Sequence, residues 1–370
     1  MTSQSVLISG AGVAGPTLAY WLARHGFQPT VVERSQDLRS SGNPVDVRGP
    51  AIPVAEEMGV MPRLRAAATQ ATAMSVVDAT GRQVARIKMP AARGGDKPEV
   101  ELPRGDLANA LYETARDDAE FLFDDTIVTL RQDADGVDVT FGRAAPRRFD
   151  LVIGADGLHS TVRRLEFGPE NDFVTHVGLY VATLPLDGPA DPPHDLVLYN
   201  TPGKLVALHP GRGRAWAAFI FRSPAIPGFD HRDTDQHKRI VAEAYAGAGW
   251  RVPELIEQVR KAEDLYFDSV SSVRLTTWAR GRIALLGDAA SCMSLLGDGS
   301  TLAMVGARTL ARALGEESGH AAAFRRYEAE HRILVAPKQR NVGRAAGLLV
   351  PKTRLGITTR NLTARVLLGR

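Results

Sequence analysis

At 370 residues the chain exceeds the usual size of one compact core, and its 44% hydrophobic and 24% charged content is that of an ordinary globular protein. No run approaches the roughly 20 apolar residues of a membrane span, the single cysteine, Cys292, excludes an internal disulfide, and none of the nine histidines forms a metal-ligand pair such as HxxxH. The formal charge of +3 is uneven: residues 332–370 hold nine Lys or Arg and no acid, which leaves 36 basic against 42 acidic residues elsewhere.

The chain begins MTSQSVLISG, and a strand starting this early leaves no room for a signal peptide, so a cytoplasmic protein is expected. The apolar strand Val6 to Ser9 feeds Gly10, Gly12 and Gly15, a helical segment follows, and a second apolar strand ends at Glu33. In such a βαβ unit Gly10 permits the tight turn, Gly12 lets backbone N–H groups approach a pyrophosphate, and Gly15 lets helix and strand pack closely. Val13 and Ala14 complete the turn, and Glu33, with Arg34 beside it, stands 18 residues beyond Gly15, where a carboxylate accepts from a ribose diol. NAD and FAD both carry that diol, so these residues leave the dinucleotide open.

Next comes SSGNPVDVRGPAIPVAEEMGV, punctuated by glycine and proline and leading into a short helix around Ile52 to Met58. Arg48 lies in this loop between Gly42 and Gly49, two candidate hinges of a cofactor cover. Hairpins are predicted to turn at Thr80-Gly81 and at Asp135-Gly136. Between them RGDLANALYETARDD reads as a helix with Leu107, Ala110, Leu111 and Ala115 on one face. Residues 170–275 shift to strands, DLVLYN, KLVALHP and RAWAAFIFR, separated by PG and GRG turns, as an inserted antiparallel sheet would be. Helical patterns occupy the chain from Thr301 onward. The basic residues of the C-terminal segment are spaced among apolar ones, which fits a helical terminus docked on the protein's own acidic body better than a contact for an acidic membrane or nucleic acid.

Two later motifs decide the cofactor. FDLVIGADGLHSTVRR is a strand running into Gly154, Asp156 and Gly157 with a helix starting at Ser160. RIALLGDAASCMSLLGDGS is a strand running into Gly287-Asp288, followed by a turn from Gly297 to Gly299 that opens a helix at Ser300. Each places a carboxylate at a strand's end, where α/β sheets bind ligands. This order of GxGxxG, DG and GD motifs resembles the class A FAD-dependent monooxygenases of the para-hydroxybenzoate hydroxylase type, including the tetracycline-modifying and polyketide-tailoring enzymes.

The resemblance spans nearly the whole chain. It implies an α/β fold: a Rossmann-like FAD-binding domain from residues 1–72, 98–168 and 276–330, an inserted antiparallel substrate sheet from 73–97 and 169–275, and a basic C-terminal helical segment over 331–370. It implies that Asp156 lies near the FAD pyrophosphate, that Asp288 accepts from the ribityl or pyrophosphate part, that Arg104 of LPRGDL contacts the cofactor, and that Arg48 sits close to the flavin ring as a catalytic residue. Ser291 stands where many relatives have His, and Ser294 and Leu295 stand where proline is common.

With one dinucleotide fingerprint, NADPH or NADH is expected only as a transient co-substrate, and no metal is expected. The resemblance implies insertion of one atom of O2, through a C4a-hydroperoxyflavin, into an aromatic or polyketide-like small molecule by a monomer or weak dimer. Baeyer–Villiger oxygenation, or a flavin-binding accessory protein without oxygenation, are the alternatives; none of the four tryptophans begins the WxWxIP of a flavin halogenase. The sheet offers Leu196, Leu198, Tyr199, Leu205, Ala207, Ala217, Phe219 and Phe221, of which alternation assigns about half to the core.

Overall fold

A computed structural model describes residues 3–38, 44–69, 71–88, 99–211, 213–293 and 297–368. The expected hinge at Gly42 and the replaced proline positions Ser294 and Leu295 lie outside the described residues.

The first apolar run forms the strand Ser5–Ser9, at the middle of a six-stranded sheet. Across that sheet lie Ala279–Arg280, Ile283–Leu285, Leu151–Gly154, Ser5–Ser9, Gln28–Val32 and Glu120–Leu122. All neighbours are parallel except the edge pair 279–280 with 283–285. Leu7, Ile8, Val31, Val152, Ile153 and Ala284 are wholly buried, as continuous apolar runs in a parallel sheet are when both faces are covered. The helix Ala14–Arg24 returns over the sheet and packs against Arg104–Ala115 and Asp298–Glu316. Leu107, Ala110, Leu111 and Ala115, the predicted apolar face, are buried in this core. The strands Ile127–Gln132, Val137–Phe141 and Arg147–Phe149 form an antiparallel meander that adds Val137, Val139 and Phe149 to it.

A second sheet has seven strands in the order Tyr266–Val273, Val174–Pro185, Trp216–Arg222, Lys204–His209, Asp195–Thr201, Ala73–Val77 and Gln83–Lys88. Both predicted hairpin turns form, with Gly81 at φ +85° between the last two strands. The sheet is antiparallel except where Asp195–Thr201 runs parallel to Ala73–Val77. A tight turn forces antiparallel pairing, and these two strands are joined through most of the first sheet instead, so nothing local dictates their direction.

Alternation predicts that about half of the sheet's apolar residues belong to the core; they divide instead between two cores, because helices cover both faces and only Leu196 of the eight keeps appreciable exposure. Tyr199, Ala217, Phe219 and Phe221 face Val241, Leu255 and Val259 of the helices Thr234–Ala244 and Val252–Lys261. Leu198, Leu205, Ala207 and Ala218 face the other way, with Leu196 partly buried beside them, towards Ala345, Ala346 and Val350. Those last residues end the helix His320–Leu349, which runs unbroken across residue 331. Pro337 within it forgoes a bond to the carbonyl of Ile333, a residue on the exposed side of the helix.

The helix-to-strand approach at the first turn depends on the absence of one side chain. A Cβ on Gly15 would lie 1.9 Å from the Gly10 carbonyl oxygen, a backbone atom that cannot swing aside. Gly15→Ala is therefore expected to destabilise the protein by about 3 kcal/mol, the upper end of overpacking penalties. Urea denaturation of cofactor-free protein checks this; an unchanged midpoint would remove Gly15 from its structural role.

Candidate functional site

Four loops leave the carboxyl ends of parallel strands at one edge of the six-stranded sheet. Gly10 follows Ser9, Glu33 follows Val32, Asp156 follows Gly154, and Gly287-Asp288 follows Leu285. This is where open α/β sheets bind ligands.

At the first turn Gly10 has φ +105°, and a Cβ there would meet Ala155 and Asp156 within 3.0 Å. Gly12 differs, because a Cβ there would meet nothing within 4 Å. The N-terminus of Ala14–Arg24 has no side-chain cap and no acid in its first turn. Free helix N–H groups beneath open space form a cradle for a pyrophosphate. Val13, Ala14 and Gly15 form the start of that helix, and Gly287, at φ +63°, packs against Ala14. The two oxygens of Glu33 accept from the N–H groups of Ala11 at 2.8 Å and Ser35 at 2.9 Å, so the carboxylate also braces the turn. The neighbouring Arg34 carries its charge towards His231.

Asp156 accepts from the N–H groups of Thr161 at 2.8 Å and Val162 at 3.1 Å and from the Ser160 hydroxyl, capping the helix Thr161–Glu166. Gly157 beside it has φ +80° and open space at its Cβ position. Burial pushes the Asp156 carboxyl up. Burial also pushes Asp288 up, against the opposing charge of Arg104. Both residues nevertheless keep part of their surface open. Arg104 is exposed and, among the described residues, its side chain has no hydrogen-bond or ion-pair partner. A glycine turn open at Gly12, a partly buried carboxylate and a free guanidinium together fit an anionic dinucleotide with hydroxyl-bearing sugars.

The Gly297 turn, in left-handed conformation at φ +73°, opens the helix Asp298–Glu316 and leaves no room for a side chain against Asp46. The hydroxyls of Ser300 and Thr301 donate to the Asp46 carbonyl at 2.6 and 3.0 Å, and Gly299 stands next to Asp288. Arg48 pairs with Asp298 at 2.7 Å and Asp46 at 3.3 Å, and Lys338 reaches the same Asp298 oxygen at 2.5 Å. Burial works against the Asp298 charge, but Lys338 and Arg48 outweigh it and hold its carboxyl below the ordinary range. Asp46 goes the other way: burial, then the nearby Glu101 charge, pushes it up to about 6 despite Arg48. Cys292 is buried and its thiol bonds to Asp288.

Two connections escaped the sequence reading. Buried Arg163, last of the DGLHSTVR run, donates to the Ala289 carbonyl at 3.0 Å and so joins the Asp156 turn to the Asp288 turn. His159, inside the same run, has Nδ1 3.0 Å from Glu170 and Nε2 3.2 Å from Asp268 of the seven-stranded sheet, with His231 stacked on it at 3.9 Å. Burial opposes a charge on His159, yet the hydrogen bonds to Asp268 and Glu170 raise it to about 9. Burial and the neighbouring His159 charge lower His231. The run's polar character was visible; its partners, 11 and 109 residues away, were not.

Residues 3–338 match the FAD binding domain family. An uncharacterised protein of Mycobacterium tuberculosis is 40% identical over 344 residues, covering 91% of this chain and 92% of its own length. A flavin-dependent monooxygenase of Legionella longbeachae is 34% identical over 339 residues, covering 90% and 87%. The crystal structure of tetracycline destructase Tet(51) superposes with a TM-score of 0.86 at 31% identity, over 98% of this chain and 95% of that one. The chain belongs to this FAD-binding family, as a class A flavin-dependent monooxygenase.

Two outcomes follow from the geometry. Gly12→Ala is expected to leave the stability of the cofactor-free protein unchanged and to weaken FAD binding at least tenfold, about 1.4 kcal/mol, in a fluorescence titration. Loss of stability with full affinity would contradict the open cradle. His159 is raised above its ordinary 6.5, so its contribution to stability is complete below that value and is lost as pH rises through about 9. The stability difference between the wild type and His159→Gln should therefore shrink, by on the order of 3 kcal/mol, from neutral pH to above pH 9. A difference independent of pH would show that His159 is not charged in the folded state.

Proposed function

We propose that this FAD monooxygenase is a single-component enzyme, reduced by NADPH or NADH, that hydroxylates an apolar aromatic or polyketide-like small molecule. The observation that carries the reading is Tyr266. It lies on the apolar face of the seven-stranded sheet shared with Leu198, Leu205, Ala207 and Ala218. Burial pushes its hydroxyl up, and its strand Tyr266–Val273 packs against the helix Asp288–Ser291. The apolar face therefore borders the candidate flavin site, and we assign the substrate to the space between them, with the strands of 73–97 and 169–275 as the substrate domain. The relative named for tetracycline destruction supports a fused-ring polyketide as the substrate class.

When bound, FAD supplies hydride acceptance and oxygen transfer, and the chain supplies holding, orientation and exclusion of water. We assign Gly10, Gly12, Val13, Ala14 and Gly15 to the pyrophosphate, Glu33 and Arg34 to the adenosine end, and Asp156, Gly157, Arg104, Gly287 and Asp288 to the middle of the cofactor. The helix that opens at Gly297, with Gly299 and Ser300 in its first turn, turns its N–H groups to the negative charge of a reduced ring, and Arg48 stands beside that helix start. A single glycine fingerprint leaves the nicotinamide as a visitor, so reduction requires an open site that later closes.

The purified protein should be yellow, and Asp288→Ala should weaken FAD binding roughly ten- to a hundredfold, as loss of a buried charged acceptor does. A polycyclic phenolic substrate should accelerate NAD(P)H oxidation and, under labelled O2, gain one labelled oxygen on a ring carbon. Label in a ring-expanded lactone would select Baeyer–Villiger insertion. Oxygen consumed only to hydrogen peroxide, with every ligand tested, would sink the substrate class.

A further inference from the structure

The C-terminal segment carries more than a docked terminus needs. Among the described residues six large apolar side chains are exposed, and four of them lie here: Ile333 at 73%, Leu348 at 65%, Leu355 at 76% and Leu362 at 60%. Scattered single apolar residues on a surface are ordinary, but a concentration of them in one short segment marks a contact surface.

The exposed residues are ordered. On the helix His320–Leu349, Ile333, Pro337, Arg340, Arg344 and Leu348 follow one another at spacings of four, three, four and four, which keeps them on one face. Pro337, Arg340 and Arg344 line a shallow hollow on that face. The opposite side of the helix is spent on the protein, with Ala345 and Ala346 against the seven-stranded sheet. The helix Arg354–Leu368 packs on the same sheet beside Gln83–Lys88, and its Leu355 and Leu362, seven apart, point away from it. Arg360 pins the two helices together, donating to the carbonyls of Leu348 and Leu349 at 3.3 Å and to Asn200 at 2.8 Å.

The charges sort in the same way. The inward basic residues have partners: Lys338 on Asp298, and Arg332 on Glu328 at 2.7 Å. The side chains of Arg340, Arg344, Lys352 and Arg354 face solvent and, among the described residues, have no hydrogen-bond or ion-pair partner. Docking on the protein's own acidic body therefore accounts for one side of this segment only. The other side presents leucines interleaved with unpaired cations, in a stretch of 39 residues without a single carboxylate side chain.

We propose that this outer face docks on an anionic phospholipid surface, with Leu348, Leu355 and Leu362 entering the headgroup boundary and Arg340, Arg344, Lys352 and Arg354 meeting lipid phosphates. Exposed apolar side chains among basic ones, on helices parallel to the protein surface, are the pattern of interfacial helices. A second copy of this chain is a poorer fit, because two such faces meeting would bring like charges together. The docking does not depend on the oxygenation chemistry.

The test is co-sedimentation of the yellow, FAD-loaded protein with phosphatidylcholine vesicles, with and without phosphatidylglycerol. Binding is expected only to the anionic vesicles and should weaken as salt is raised. Arg340→Gln with Arg344→Gln should lower the affinity roughly thirtyfold, as about 1 kcal/mol per basic residue implies. Leu355→Ser with Leu362→Ser should lower it at least tenfold, while both pairs keep the flavin spectrum and NAD(P)H oxidation rate of the wild type. Equal binding to neutral and anionic vesicles, or unchanged binding in either pair, would overturn the proposal. So would a light-scattering dimer that the leucine pair converts to monomer without any vesicle binding.

Discussion

The Gly10 carbonyl occupies the place where a side chain of residue 15 would begin, and this contact lets the first helix sit almost on the strand end before it. Everything at the sheet's carboxyl edge depends on that closeness. It brings the helix N-terminus over the turn, leaves open space above Gly12, and puts Gly10 against the backbone of Ala155 and Asp156. With the Asp156 turn so near, its carboxylate cannot be left to face another backbone unpaired. It spends its hydrogen bonds on Thr161, Val162 and Ser160, which satisfies three donors at a helix start.

From that turn the structure is tied outward by cations rather than by more apolar contact. Arg163 holds the Asp288 turn through the Ala289 carbonyl, and His159 holds the seven-stranded sheet through Asp268. These links are largely buried, so breaking one leaves an uncompensated group and costs more than a surface pair would. The eight-residue run DGLHSTVR thereby ties the candidate flavin site to the seven-stranded sheet, beside the backbone link from Val273 to Cys292, and serves two interfaces at once.

This explains how legibility in the sequence divides. Glycine turns, helix faces and hairpins are written locally: the spacing of Gly10, Gly12 and Gly15, the face of Leu107, Ala110, Leu111 and Ala115, and the Thr80-Gly81 turn all fold as their neighbours dictate. Alternation predicted that the sheet residues would divide, but the side on which Leu198 or Phe219 falls depends on which helices arrive later in the chain. The parallel pairing of Asp195–Thr201 with Ala73–Val77 was likewise beyond local signals, since no turn connects them. Least legible were the ion pairs. Lys338 reads as one more basic residue in a basic segment, and only the fold brings it to Asp298, 40 residues earlier.

The node around Asp298 shows why such pairs matter for function as well as for folding. Asp298 begins the helix whose Gly299 stands next to Asp288, and Arg48 and Lys338 of the long C-terminal helix converge on one of its oxygens. Arg48 is a third exposed, so its bonds there are screened, and each is worth about 1 kcal/mol or less. The competing Asp46 adds little at neutral pH beyond keeping a second carboxylate near the same guanidinium, and burial beside Glu101 already strains its charge. The Arg48 side chain can leave Asp298 without unfolding anything else, because Lys338 stays behind to keep Asp298 paired and the Ser300 and Thr301 hydroxyls keep the Asp46 backbone on the helix start. The Arg48 side chain is thus held at the candidate flavin site by weak, replaceable contacts, on a scaffold whose buried links, at Gly10, Arg163 and His159, are not replaceable.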